Sequence, residues 1–222
     1  MRLQQLQLTH HYPTLQLRFH FTTGSHANEK TCPEYIERAI REAASGSPRE
    51  DQVDIEIQHV SGSFHLDFIG GFANAYEDVT NVIVRLRSSS GPSKGAILLN
   101  SHFDSALGTV AASDDVVQVA IMIEVFRSLV WSIDEKNVDV IFLFNGAEEA
   151  ILQAAHGFLK HSWASYVSAV INLEAAGSGG REVCWSSKRE NIHTHKHDRS
   201  SRLTRRIHTG IVPDWSGKQL DC

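Results

Sequence analysis

The sequence predicts an α/β domain in which a mixed, mostly parallel sheet carries helices on both faces. Short apolar segments of strand length alternate with longer amphipathic segments through the middle of the chain. Some of the short segments are apolar throughout, which is typical of strands buried on both faces of a sheet. The alternation of strand and helix indicates a doubly wound α/β layer.

The first third of this domain is predicted to hold one helix and three strands. The helix covers residues 33–44, because proline suits the first helical turn and Gly46 suits the position after the last turn. Apolar and polar residues alternate over 53–60, which indicates a half-buried strand. Two further strand candidates cover 64–69 and 81–86.

The central part is predicted to continue as strand, helix, strand, helix, strand. The strands cover 95–101, 138–144 and 169–173, and the helices cover 114–131 and 148–159. Ser113 or Asp114 can cap the first of these helices. Its mostly apolar stripe is predicted to run through Val117, Ala120, Ile121, Glu124, Val125 and Leu129. No strand is predicted after residue 173, so the sheet is expected to be incomplete at its C-terminal side.

Composition narrows the classes of function. The 222 residues are 41% hydrophobic and 21% charged, which suits a globular domain, and the net charge of −5 argues against a nucleic-acid partner. No apolar run reaches the roughly 18–20 residues that a membrane span requires. The three cysteines, Cys32, Cys184 and Cys222, lack metal-site spacing and are predicted to be free thiols.

The chain is predicted to divide into three parts, with an irregular N-terminus over 1–20, the α/β domain over 21–180 and a basic, histidine-rich tail over 181–222. The N-terminus lacks the apolar centre of a signal peptide. In the tail apolar periodicity ends, and composition favours a disordered segment. A metal-binding tract at His193, His195 and His197 is the alternative for that tail.

Histidine and acidic residues form four clusters, each where an apolar strand ends or a helix begins. The clusters are, in order, His102 with Asp104, Asp114 with Asp115, Glu148 with Glu149, and Glu174 alone. Open α/β sheets build their sites at the carboxyl ends of strands, so these side chains are expected to converge. Each cluster alone is usually a solvated helix start or loop. All four in this order indicate a shared metal site.

A two-zinc hydrolase requires these residue types. Zinc takes histidine nitrogen and carboxylate oxygen as ligands, and a catalytic site keeps one position open for water. Two zinc ions about 3.5–4 Å apart can share one carboxylate, a role that Asp114 can take. Asp104 can orient the His102 ring. Of Glu148 and Glu149, one can bind metal while the other transfers a proton.

Several segments resemble the co-catalytic two-zinc aminopeptidases, and most of all their endoplasmic reticulum metallopeptidase branch. The matching segments are SHFDS (101–105), ASDD (112–115), FNGAEE (144–149) and INLEAAGSGG (171–180), with further matches in 22–29, 62–72 and 80–86. The resemblance covers about residues 22–180. It implies a zinc-exopeptidase-like fold. It also implies removal of N-terminal residues from peptides and proteins in the lumen of the endoplasmic reticulum, by an enzyme anchored through transmembrane helices.

The resemblance also implies a role for each site residue. These roles are zinc ligand for His102, Asp114, Glu149 and Glu174, general base for Glu148, and support of the first histidine for Asp104. Asp114 would bridge the two zinc ions, Glu174 would complete the first, and Glu149 would bind the second.

In that family the last ligand of the second zinc is a histidine further along, and no residue here matches it. His208 comes too early and in a basic context, so it is not expected to be a ligand. We therefore expect one tightly held zinc and little or no aminopeptidase turnover from this chain. The alternatives are a single-zinc enzyme like the glutaminyl cyclases, and a non-catalytic remnant that only binds partners. Zinc stoichiometry and the product formed from a glutaminyl peptide separate the three.

Overall fold

The computed structural model describes residues 21–66, 71–134 and 137–175, which contain five strands and three α-helices. The strands are β1 (Val53–Leu66), β2 (Phe72–Leu86), β3 (Ala96–His102), β4 (Asp139–Asn145) and β5 (Val167–Asn172). The helices are α1 (Cys32–Ala44), α2 (Val117–Val130) and α3 (Gln153–Phe158). A π-helical turn, Ala27–Thr31, leads into α1, and 3₁₀ turns cover Glu50–Gln52 and Ser162–Tyr166.

The five strands form one mixed sheet in the order β1-β2-β4-β3-β5. β3 lies between β4 and β5 and runs parallel to both. β2 is antiparallel to β1 and to β4, so two of the four pairings are parallel. The predicted mixed α/β sheet is therefore confirmed, with the antiparallel β1–β2 hairpin extending it on one side.

Helices cover both faces of this sheet, as predicted. Buried side chains of α1 and α2 pack with alternate residues of β2, such as Val82 and Val84, in the main hydrophobic core. Asn81 points to the opposite face of β2, because neighbouring side chains of a strand alternate. Its amide nitrogen donates to the carbonyl of Ala154 in α3, at 2.8 Å. Each large side chain buried in the core stabilises the fold by roughly 1.5–3 kcal/mol.

The strand predictions are confirmed with changed limits. The segments 53–60 and 64–66 belong to one strand, β1, which continues through an irregularity between Val60 and Gly62. The remainder of the predicted strand 64–69 lies outside the described residues. β2 begins at Phe72 rather than at residue 81, because it pairs with β1 along its whole length.

Two helix predictions need correction. α2 begins at Val117 and not at Asp114, since Asp114 has non-helical dihedral angles (φ −130°, ψ 90°) and no side chain caps the helix. Residues 148–152 are not helical, because Ile151 and Leu152 lie in the left-handed region with φ of 64° and 59°. The second helix is therefore limited to α3.

The predicted apolar stripe of α2 is confirmed only in part, because Val125 and Leu129 pack against the main core but its first positions do not. Val117 and Ile121 are each 43% exposed, whereas the buried positions are Val119, Met122, Ile123, Phe126 and Val130. This helix is apolar on nearly all sides, so periodicity alone does not distinguish the face that meets the sheet. The buried face of α2 is set instead by its packing against α1 and β3.

The remaining predictions concern the free thiols, a membrane span and the two terminal segments. Cys32 is a buried free cysteine, and burial followed by the charge of Asp104 raises its pKa well above the usual value. Within the described ranges, none of the helices combines the length and apolar character needed to cross a membrane. The predicted N-terminus 1–20, the tail 181–222 and its histidine tract lie outside the described residues, so the domain limits stay predictions.

Candidate metal centre

The carboxyl ends of three neighbouring strands bring the predicted site residues to one edge of the sheet. His102 is the last residue of β3, the strand between β4 and β5. Glu148 and Glu149 follow β4 by a few residues, and Glu174 follows β5 by two. Strands that run parallel present their carboxyl ends on the same side, so these side chains meet there.

His102, Asp114 and Glu174 form a group whose ligand atoms all lie within 4.8 Å of one another. The Nε2 atom of His102 lies 3.1 Å from Oδ1 of Asp114 and 3.5 Å from Oε1 of Glu174. Oε2 of Glu148 lies 3.9 Å from the same nitrogen. The imidazole is buried, while Asp114 and Glu174 are exposed. A metal ion held there would have one side open to solvent.

Asp104 links the His102 ring to the loop after β4. Its Oδ1 lies 3.3 Å, and its carbonyl oxygen 3.1 Å, from Nδ1 of His102. The backbone N–H groups of Glu148 and Glu149 donate to its two carboxylate oxygens, each at 3.0 Å. The hydroxyl of Thr23 donates to Oδ2 at 3.2 Å. Asp104 is fully buried, so these four contacts hold the carboxylate in place.

The charges at this centre are strongly coupled. Burial lowers the pKa of His102, but hydrogen bonds to Asp104 and Glu174 outweigh it and raise that pKa to about 12. Burial raises the pKa of Glu148 to about 7, assisted by the neighbouring carboxylates and opposed by His102. Burial likewise raises the pKa of Asp115 to about 8, although Ser101 donates to its carboxylate at 2.7 Å. Several carboxylates thus surround one imidazole, an arrangement that a cation would stabilise.

The residues present fit one zinc ion. One histidine nitrogen and two carboxylate oxygens are a donor set that zinc accepts in catalytic sites. The other ring nitrogen of His102 contacts Asp104, as metal-bound histidines usually contact a carboxylate or carbonyl. Asp115 is buried beside this group, and its Oδ1 has no hydrogen-bond partner among the residues that the structure describes. Zinc is therefore a chemically suitable occupant of the three-residue group.

Glu149 lies outside that three-residue group. Its Oε1 accepts a hydrogen bond from the backbone N–H of Ala106 at 3.1 Å. Burial, followed by the charge of Asp114, raises its pKa. Glu149 is thus close enough to Asp114 to feel its charge, but a second metal position at this carboxylate stays a prediction.

Three residues with contacts at this centre were missed by reasoning from the sequence. Thr23 contacts Asp104, Asn28 donates to the carbonyl of Gly146, and Asn74 donates to the carbonyl of Ala150. Thr23 and Asn28 lie in the segment 22–29, which carries part of the family resemblance. The family resemblance of this segment was the only sequence signal that could have pointed to Thr23 and Asn28. Asn74 sits in a strand without a comparable signal.

The fold and the three-residue group define a protein of the open-sheet, zinc-exopeptidase-like class. Residues 81–214, more than half of the chain, match peptidase family M28. The chain belongs to that family. The match extends beyond residue 175, where the described part of the structure ends.

Relatives of this chain include endoplasmic reticulum metallopeptidase 1 of Mus musculus and of Homo sapiens. Each is 41% identical over 201 residues, which are 86% of this chain and 22% of the relative. The vacuolar membrane protease of Yarrowia lipolytica is 39% identical over 121 residues, which are 54% of this chain and 12% of the relative. The chain therefore spans about a fifth of the length of the metallopeptidases it matches.

Solved structures confirm the fold class. LapA aminopeptidase of Legionella pneumophila aligns with a TM-score of 0.56 at 16% identity, over 74% of this chain and 41% of that one. The glutaminyl cyclase of Porphyromonas gingivalis aligns with a TM-score of 0.50 at 15% identity, over 72% of this chain and 57% of that one. At these identities the likeness concerns the fold alone.

Proposed function

We propose that this chain carries the catalytic centre of a zinc-dependent metallopeptidase that hydrolyses peptide bonds at the N-terminus of peptides or proteins. The observation that carries the proposal is the group His102, Asp114 and Glu174, with ligand atoms within 4.8 Å and Glu148 3.9 Å from the same imidazole nitrogen. Membership of peptidase family M28 supports hydrolysis of a peptide bond as the reaction.

Each residue of the centre has a task in this proposal. His102, Asp114 and Glu174 bind the metal, and Asp104 orients the His102 ring. When bound, zinc supplies Lewis-acid polarisation of the scissile carbonyl. The Glu148 carboxylate takes a proton from the attacking water and passes it to the leaving amine, because it lies beside the metal group without belonging to it.

The second metal position and the cellular location belong to the proposal as well. Glu149, next to Asp114, is the carboxylate proposed to bind a second zinc. The names of the relatives, endoplasmic reticulum metallopeptidase and vacuolar membrane protease, support a place at an endomembrane, with the lumen of the endoplasmic reticulum as the proposed location.

Metal analysis tests the first zinc position directly. After dialysis of the chain against zinc and then against buffer, we expect about one tightly held zinc per chain. His102→Ala and Glu174→Gln should each remove it. Glu37→Gln is a matched control, because Glu37 is a carboxylate on α1 that pairs with Arg41 away from the centre. Zinc contents equal to wild type in both site variants would overturn the assignment.

Turnover separates the proposed peptidase from the alternatives. A leucyl reporter amide should be cleaved slowly, so the assay needs high enzyme concentration and hours of incubation. Glu148→Gln should keep zinc but lower the rate by about a hundredfold, the scale of losing general-base assistance. Loss of ammonia from an N-terminal glutaminyl peptide, without cleavage, would instead favour a glutaminyl-cyclase-like reaction. A chain that binds no zinc and forms neither product would favour the third alternative, a non-catalytic remnant that only binds partners.

A further inference from the structure

The loop of residues 146–152, called the glutamate loop, carries Glu148 and Glu149 between β4 and α3. Its end is not helical, because Ile151 and Leu152 have left-handed backbone angles. Within it one backbone hydrogen bond, from Leu152 N–H to the Glu148 carbonyl, is formed at 2.8 Å. The position of Glu148 therefore depends largely on groups outside the loop.

Donors from two distant elements hold the two ends of the glutamate loop. The side-chain amide of Asn28 donates to the carbonyl of Gly146, where the loop begins, at 2.7 Å. The side-chain amide of Asn74 in β2 donates to the carbonyl of Ala150 at 2.9 Å, and lies 3.4 Å from that of Ile151. Both asparagines are buried, and buried hydrogen bonds are not exchanged readily for water.

The surroundings of each asparagine fix which way its amide points. The nitrogen of Asn28 also donates to Oε1 of Glu29 at 2.9 Å, so two acceptors face it. The oxygen of Asn74 accepts from the side-chain amide of Gln153 at 2.7 Å, which leaves its nitrogen for the loop carbonyls. An asparagine with these partners presents its N–H groups to the loop and not its oxygen.

Thr23 acts on the middle of the glutamate loop through Asp104. The Asp104 carboxylate accepts the N–H groups of Glu148 and Glu149, and the Thr23 hydroxyl donates to the oxygen that serves Glu149. The segment that contains Thr23 and Asn28 thus touches both the start and the middle of the loop.

We propose that Thr23, Asn28 and Asn74 are positioning residues that set the place of the Glu148 carboxylate beside His102. This inference rests on the proposed function, in which Glu148 is the base. A reacting group must be held within about 0.5 Å of its productive place, and supporting hydrogen bonds provide that restraint. All three residues act through the loop or through Asp104, and none of them contacts the three-residue metal group.

Amide hydrogen exchange tests the restraint without any need for turnover. Asn74→Asp keeps the oxygen that accepts from Gln153 but turns a second oxygen towards the loop carbonyls. The amides of Glu148 and Glu149 should then exchange about tenfold faster, as expected for losing one buried hydrogen bond. Thr23→Val removes the hydroxyl while keeping the shape, and should speed the exchange several-fold. Thr23→Ser restores the hydroxyl and should return the wild-type rate.

Arg49→Lys is the control for general destabilisation. Arg49 is buried and donates to the carbonyls of Leu129 and Arg87, which places it away from the glutamate loop. This variant should lower overall stability and leave the Glu148 and Glu149 amides protected. Equal exchange in Arg49→Lys, Asn74→Asp and Thr23→Val would overturn the inference.

A kinetic comparison tests whether the restraint matters for the reaction. In the zinc-loaded protein, Asn74→Asp and Thr23→Val should lower kcat about three- to tenfold while KM and zinc affinity stay at wild-type values, because substrate and metal contacts are untouched. Thr23→Ser should recover kcat. Faster exchange with unchanged kcat would overturn the positioning role. A wild-type chain that holds no zinc and cleaves nothing would overturn the proposed function, whereas the exchange result alone decides whether these residues hold the loop.

Discussion

Replacing Asp104 with asparagine tests the central connection of the metal centre. The Asp104 carboxylate accepts four donors, which are the N–H groups of Glu148 and Glu149, the Thr23 hydroxyl and Nδ1 of His102. An asparagine of the same shape has one acceptor oxygen, and its NH₂ group faces donors on the other side. With the oxygen kept towards His102 and Glu148, the N–H of Glu149 loses its acceptor, while the Thr23 hydroxyl can rotate and accept.

The expected losses of stability and of zinc affinity in Asp104→Asn follow from these contacts. The Glu149 N–H lies in a partly buried bond, so leaving it without an acceptor costs at most about 1–3 kcal/mol, and the three remaining bonds lose the strengthening that a charged acceptor provides. We therefore expect Asp104→Asn to lower the free energy of unfolding by about 2–4 kcal/mol. The His102 ring would lose its carboxylate partner, so zinc affinity should fall by about 10–100-fold.

Urea unfolding and zinc titration measure the two effects separately. Asp139→Asn is the matched control, because Asp139 is equally buried and pairs with Arg85 at the opposite end of β4. It should lower stability in a similar way and leave zinc affinity unchanged. Wild-type zinc affinity in Asp104→Asn, or an equal loss of affinity in Asp139→Asn, would refute the argument.

Gly146→Ala should lower the free energy of unfolding by about 2–3 kcal/mol, because a Cβ there would lie 2.7 Å from a backbone carbonyl oxygen and 2.6 Å from an aromatic ring. Gly108→Ala, at φ 83° with open space around it, should cost only about 1 kcal/mol in the same urea experiment. His156→Gln should weaken the loss of stability between pH 7 and pH 5 in thermal melts. Burial and then Lys160 lower the pKa of His156, so the unfolded chain binds its proton more readily and stability falls as pH drops through about 6.5; an unchanged slope would contradict this. Zinc at about 100 times its dissociation constant should raise the free energy of unfolding by about 2.7 kcal/mol, a chelator should reverse the rise, and His102→Ala should show none.

The strand ends could be predicted from the sequence because burial on both faces leaves a visible apolar run. His102 and Glu174 each follow such a run, and the structure places them 3.5 Å apart. Asp114 was expected at the same place, but as the cap of a helix. It reaches His102 instead from a turn with non-helical φ and ψ angles, beside Asp115, whose carboxylate accepts from the Ser101 hydroxyl 14 residues away.

Residues 148–152 show why the rest could not be predicted. Paired acidic residues are commonly found at helix starts, where the helix dipole favours them, and the sequence predicts a helix over 148–159. In the structure Asp104 accepts hydrogen bonds from the N–H groups of Glu148 and Glu149, which are 44 and 45 residues away in the chain. Asn28 reaches Gly146 across 118 residues. Contacts between segments this far apart leave no local sequence pattern, so helix propensity cannot predict them.

The two halves of the sheet contribute different things to the metal centre. The parallel strands β3, β4 and β5 lie side by side at a spacing of about 4.8 Å. Two of the proposed metal ligands, His102 and Glu174, and the proposed base Glu148 therefore meet at their carboxyl ends, and Asp114 joins them from the turn before α2. The antiparallel strand β2 adds no carboxylate to this group, but its Asn74 holds the loop that carries Glu148. Asp104 contacts both the His102 ring and the N–H groups of Glu148 and Glu149, whereas Asn74 contacts the loop and none of the three residues of the metal group. Substitutions in the hairpin should for this reason change the rate of the reaction while leaving the affinity for metal as it was.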